Sequence, residues 1–150
     1  MPSKSTVRRA KRDLREGKRP STAAGEFVRE EIEHVRRGKH GARSARQAIA
    51  IGLSKARRAG VPLPPPKKGR AKSSTRRAAA RDYEVGRSMG QRMQDSARPP
   101  RAPSSKRSRA TERALKREGH AAASSRALSA HARRVASARR HRGGRAQVSS

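Results

Sequence analysis

The chain has 150 residues, with 41 Lys or Arg against 11 Asp or Glu, a formal charge of +30 and a pI near 12.0. A hydrophobic fraction of 31%, with Phe27 and Tyr83 the only aromatic residues, leaves little to build a large core, so most of the chain is expected to be disordered or weakly ordered. The absence of cysteine excludes disulfides, thiolate metal sites and a thiol nucleophile, and the longest apolar run, residues 48–51, is far too short to span a bilayer.

No signal-peptide core stands at the N-terminus, so a cytoplasmic protein without membrane insertion is expected. Such an excess of cations calls for a polyanion. Arg outnumbers Lys by 31 to 10, which suits phosphate and guanine recognition, although a GC-rich genome produces the same bias.

Residues 1–20 read as a basic arm. A short helix over residues 7–16 presents only Val7, Ala10 and Leu14 as apolar positions and ends at Gly17 and Pro20. A segment of this length is marginal alone and is expected to order only on contact with something else.

A helix-loop-helix module follows over residues 21–61. Its first helix, GEFVREEIEHVRRG, carries Val28, Ile32 and Val35 at i, i+4 and i+7 with Phe27 beside them. Glu26, Glu30, Glu31 and Glu33 complement the macrodipole and form local pairs such as Glu33 with Arg37, or else compete with nucleic acid for the basic arms. The loop from Gly38 to Arg43 contains Gly38-Lys39-His40-Gly41, which matches the GXXG backbone clamp of KH domains, but no strand pattern exists to complete that fold. The loop is read either as a phosphate contact through Lys39 and backbone amides or as a plain connector.

The second helix, residues 44–60, has both ends specified. Ser44 and Gln47 have capping-box spacing, Gly60 suits the left-handed C′ position, and Lys55, Arg57 and Arg58 lie where the dipole favours cations. Ala45, Ala48, Ile49, Gly52, Leu53, Ala56 and Ala59 share one face. The expected packing set is therefore Phe27, Val28, Ile32 and Val35 against Ile49, Leu53 and Ala56. Ile51 falls on the charged side, as a partly covered surface residue or as a contact to a thymine methyl or a second subunit.

Residues 22–68 resemble a family of small basic bacterial proteins of unknown function, whose hallmark is a basic Lys-x-Gly loop followed by an (R/K)QAIAI(A/G)LS(E/K)A helix, here Arg46 to Ala56. Lys55 stands where many members carry Glu, which makes this face more basic. The resemblance covers about a third of the chain and implies a bacterial source. It implies no activity beyond the general label of DNA binding.

A Pro/Lys-rich linker, residues 62–75, delivers Lys67, Lys68, Arg70 and Lys72, and Lys68-Gly69-Arg70 matches part of an AT-hook except that Ala71 replaces the proline. Residues 76–95 form a weak helix in which Gly86 and Gly90 each cost about 1 kcal/mol relative to alanine. A Pro/Ser linker, residues 96–107, leads to a basic Ala/Arg-rich tail, residues 108–150. Its two short helices, residues 108–119 and 124–140, are histone-H1-like and expected to fold where phosphates neutralise them.

The fold class expected is thus small and all-α: a helical hairpin over about residues 22–60, marginal as a monomer, flanked by largely disordered basic arms. Residues 22–60 hold nine basic and four acidic residues, so most of the excess charge lies outside them. Matched to duplex phosphates, the whole excess of +30 would cover roughly 50 Å of axis.

The candidate nucleic-acid contacts are Lys39, Arg43, Arg46, Lys55, Arg57, Arg58, Lys67, Lys68, Arg70 and Lys72. The leading expectation is a non-enzymatic, sequence-tolerant, nucleoid-associated protein that binds or compacts duplex DNA, with homodimerisation through the helix pair as a further expectation. The alternatives are an RNA- or ribosome-associated protein and an adaptor whose helix pair binds another protein. No phosphate loop, nucleophile elbow or zinc-ligand spacing occurs, and His34, His40, His120, His131 and His141 are scattered along the chain. No catalytic residue, cofactor or metal is therefore expected.

Overall fold

A computed structural model describes residues 1–94 and 105–145. Among these, every regular element is helical and no strand occurs. The helices are α1 (Lys4–Arg15), α2 (Pro20–Arg36), α3 (Ala45–Arg58), α4 (Ser73–Gln94), α5 (Ser105–Lys116) and α6 (Ser125–Arg145), with a 3₁₀ turn at Ala121–Ala123. Most of the linker expected at residues 96–107 lies outside the described residues, as do residues 146–150.

The first three helices are ended by the same device. Gly17, Gly38 and Gly60 have φ of 73°, 71° and 89°. Each donates its N–H to the carbonyl three residues back, and the following residue reaches the carbonyl one position earlier still, as in Gly60 to Arg57 and Val61 to Ala56. This is the Schellman arrangement, which a residue with a Cβ enters only under strain. At the start of α3, Ser44 Oγ accepts from Gln47 N at 3.2 Å, while Gln47 Oε1 accepts from Arg43 N at 2.6 Å, one residue before the cap. The reciprocal half of the capping box is therefore displaced by one position.

Pro20 does not stop a helix but begins one. It stands at the first position of α2, where its fixed φ suits the turn and its missing N–H is no loss. The extra turn carries Ala23 and Ala24, both fully buried, so α2 starts five residues before the Gly25 expected from periodicity.

Helices α2 and α3 pack closely on each other. The buried stripe of α2 is Ala24, Phe27, Glu31 and Val35, and Val28 and Ile32 flank it half-buried. From α3 come Ala45, Ala48, Gly52 and Ala56, all small. A Cβ on Gly52 would stand 2.6 Å from the Val28 Cα, so this glycine sets the approach of the two backbones.

Two apolar clusters lie along this contact. One joins Ala10 of α1, Ala23, Ala24 and Phe27 of α2, Ala56 of α3 and Val61, with Val7, Leu14, Leu53 and Leu63 against it. The other joins Val35, Ala42, Ala48, Ala122 and Ala123, with Ile32 against it. Ile49 and Ile51 are both half-buried and belong to neither, so Ile49 departs from the packing role expected of it.

The contact that orders residues 4–15 is supplied by this chain's own α2. Along α3 runs α4, with Ala79 buried and Gly86 so close that a Cβ there would collide with the Arg57 carbonyl oxygen. Gly86, expected only to weaken its helix, is what lets α4 reach the end of α3. At the opposite end, the 3₁₀ turn inserts Ala122 and Ala123 beside Val35, and Arg36 Nε donates to the Ala123 carbonyl at 2.9 Å. Part of the expected tail is thus built into the core.

Gly52→Ala should lower stability by about 1–3 kcal/mol despite the better helix propensity of alanine, because the α2 backbone blocks the new methyl. Gly25→Ala, with nothing within 4 Å, should instead raise it by about 0.5–1 kcal/mol. Denaturant unfolding followed by circular dichroism distinguishes these opposite signs.

Candidate nucleic-acid interface

Each acidic residue described lies within ion-pair distance of a Lys or Arg of this chain, except Glu30, which has only His34 at 3.6 Å. Some of these pairs are local, as Glu33 with Arg37 at 2.7 Å and Glu112 with Lys116 at 3.0 Å. Others join separate elements: Arg9 to Glu26 at 2.5 Å, Lys55 to Glu31 at 2.5 Å, Arg58 to Asp82 at 2.7 Å and Arg43 to Glu118 at 3.2 Å. Three of the α2 glutamates therefore work outside their own helix, because Glu30 Oε1 also accepts from Ser3 N at 2.9 Å.

These pairings divide the ten expected nucleic-acid contacts into two groups. Arg43, Lys55, Arg57 and Arg58 are engaged within the fold. Arg57 is 7% exposed, and its Nε donates to the Leu63 carbonyl at 3.1 Å. Burial pulls its guanidinium below the ordinary arginine value, while nearby Asp82 opposes that shift. By contrast Lys39, Arg46, Lys67, Lys68, Arg70 and Lys72 are exposed and form no ion pair among the described residues.

The loop between α2 and α3 does not offer the phosphate a row of open amides. Gly38 and Lys39 donate to Val35 and His34, Gly41 to the Leu115 carbonyl at 2.8 Å, and Ala42 to the Gly119 carbonyl at 3.0 Å. With Arg43 N bound to Gln47, the backbone clamp is closed by the chain's own α5 end. Lys39 and Arg43 are the loop's exposed cations, and of the two only Arg43 is ion-paired, to Glu118.

A further set was not among the expected contacts. Lys4, Arg8, Lys11 and Arg15 recur at i, i+4, i+7 and i+11, so they form one stripe along α1. All four are exposed without an ion-pair partner among the described residues; Val7, Ala10 and Leu14 on the adjoining face enter the first cluster, and Lys11 stands at its edge. At 1.5 Å per residue the stripe is about 16 Å long. Its periodicity was present in the sequence, but only the docking of α1 shows which face is turned outward. Val61 and Leu63 pack on the same cluster as Val7 and Leu14, so the Lys67–Lys72 linker leaves from the end of the bundle where α1 lies.

The most buried polar group is Glu31, fully enclosed on the stripe between Phe27 and Val35. Its Oε2 accepts from Lys55 Nζ, and its Oε1 lies 3.2 Å from His40 Nε2. His34 stands beside His40 with ring centroids 6.0 Å apart in an edge-to-face arrangement. Two of the five histidines, expected to be scattered, thus converge. Burial holds the His34 imidazole below its ordinary value, with Lys39 and Lys55 adding to the effect.

Among the described residues no helix is long and apolar enough to cross a membrane. Lys55→Met should destabilise the fold by about 3 kcal/mol, because it leaves the enclosed Glu31 carboxylate without its cation. The double variant Glu31→Leu/Lys55→Met should lose less than the sum of the single changes, which a double-mutant cycle in urea measures directly. Compared with known proteins, the chain matches no family model, no curated protein and no solved structure.

Proposed function

We propose that this protein binds nucleic acid in a non-enzymatic, sequence-tolerant manner, as a nucleoid-associated protein acting on duplex DNA. The observation that carries this reading is the exposed stripe of Lys4, Arg8, Lys11 and Arg15 on a helix held to the core by its adjoining apolar face. A length of about 16 Å exceeds the roughly 12 Å width of a B-DNA major groove, so the stripe can meet phosphates on both sides of it. Lys67, Lys68, Arg70 and Lys72 add four exposed cations on the segment that follows Val61 and Leu63, which pack on the cluster that α1 joins.

The remaining charge supports the same partner. With every described acidic group except Glu30 already paired with Lys or Arg inside the chain, the excess of +30 has no internal neutralisation and is drawn to a polyanion by counterion release. Long cationic side chains on a helix surface match a regular phosphate array more readily than one base sequence. The helix pair then acts as a frame that orients cations, and Lys55, Arg57 and Arg58 belong to the frame rather than to the contact surface.

Replacing Lys4, Arg8, Lys11 and Arg15 with Gln should reduce the slope of log affinity against log salt by up to about 3.6, since each neutralised phosphate adds about 0.9 to that slope. Duplexes of unrelated sequence should be affected alike. Fluorescence anisotropy over a salt series measures the slope. An unchanged slope would sink the assignment of α1, and a flat salt dependence of the unaltered protein would sink nucleic-acid binding itself. Preference for structured RNA over duplex DNA in direct competition would move the protein to an RNA-associated role.

A further inference from the structure

We propose that Glu31, His34 and His40 form a binding site for a transition-metal dication of the zinc class. One ligand atom from each of the three lies within 4.8 Å of the others, and they come from the middle of α2, its last turn and the loop that follows. Glu31 is fully buried, and no hydrogen bond reaches its Oε1. A bare carboxylate oxygen in that position lacks the donor that a buried acceptor requires.

The opposing nitrogen is of the right kind. His40 Nδ1 lies 3.2 Å from the Gly41 carbonyl oxygen, which can only accept, so the proton belongs on Nδ1. In the neutral ring Nε2 then carries a lone pair, and it faces Glu31 Oε1 at 3.2 Å. Two electron pairs directed at the same space are reconciled by a cation between them. A carbonyl holding the far nitrogen is also the usual support of a metal-bound imidazole.

The spacing fits as well. Donors about 2.0–2.1 Å from a tetrahedral ion stand about 3.3 Å apart, close to the Oε1 to Nε2 separation. His34, with 19% of its side chain exposed, completes the set by ring rotation and leaves a fourth position toward solvent. Its Nε2 lies 3.6 Å from Glu30 Oε1, which supplies a second negative charge near the site. Lys55 occupies the other oxygen of Glu31, so the carboxylate would bind the ion through Oε1 alone. Two imidazoles and one carboxylate suit zinc, and they are poor ligands for magnesium or calcium.

An ion at this point would tie α2 to the loop that α5 also holds, and through Glu31 to Lys55 of α3. It would therefore stabilise the frame without touching the exposed stripe on α1.

The test uses the full chain freed of nucleic acid and titrated with ZnCl₂ by calorimetry, with MgCl₂ as the contrasting ion. One zinc per chain is expected, with binding weakened at least about 100-fold in H34N and in H40N and unchanged in H131N. Circular dichroism reports whether each variant is folded. Should H34N or H40N fail to fold, proton–nitrogen spectra of the imidazoles in the unaltered chain give an independent answer: zinc should shift two of the five. No zinc binding, equal binding by all three variants, or shifts in all five or in none would overturn the site.

Discussion

The fold depends on how closely α2 and α3 approach each other. Gly52 removes the side chain that would hold the two backbones apart, and Ala45, Ala48 and Ala56 keep the rest of that face shallow. Phe27, Glu31 and Val35 fill the space from the other side. Because the contact is made by one row of large residues against one row of small ones, it needs few hydrophobic side chains. This is how a chain with so little apolar content still forms two buried clusters, at either end of a single helix crossing.

The carboxylate in that crossing constrains everything around it. Enclosing Glu31 is tolerable only because Lys55 reaches it from α3, and removing either charge alone leaves the other poorly solvated. The pair also specifies register, since sliding α3 by one turn would place Ile51 or Ala59 opposite the carboxylate. Lys55 is thus a packing residue, despite sitting in a run of cations. Arg57 and Arg58 have the same character, one directed at the Leu63 carbonyl and the other at Asp82 of α4. The cations of this protein fall into those that hold helices together and those that face solvent, and proximity in sequence does not separate them.

The C-terminal ends of the first three helices and the N-cap of α3 were legible from local chemistry, whereas Pro20, which reads as a stop, begins α2. Gly17, Gly38, Gly60 and Ser44 act within a few residues of themselves, so their roles follow from the chain alone. The all-helical class and the pairing of α2 with α3 were legible for the same reason. The face of α2 was legible only in part: Val28 does meet Gly52 and Ile32 packs on the second cluster, but the fully buried stripe runs through Glu31, which hydrophobic periodicity does not mark. A glutamate counts against burial until its partner is known, and that partner is 24 positions away. The docking of Ala122 and Ala123 was hidden because single alanines carry almost no hydrophobic signal, yet they fit where Val35 leaves room.

The candidate interface divides along the same line. Charge, composition and the absence of cysteine are sums over residues, so the sequence by itself determined that the protein is strongly cationic and that thiol chemistry is excluded. It also determined the period of the stripe on α1, since helical spacing is a local property. Only the tertiary structure decided that this stripe faces outward, that the amides of the loop are taken by Leu115 and Gly119, and that His34 and His40 meet Glu31. These facts depend on distances between residues far apart in the chain. Such distances are set by which helices can approach closely enough to pack, and no single segment contains that information.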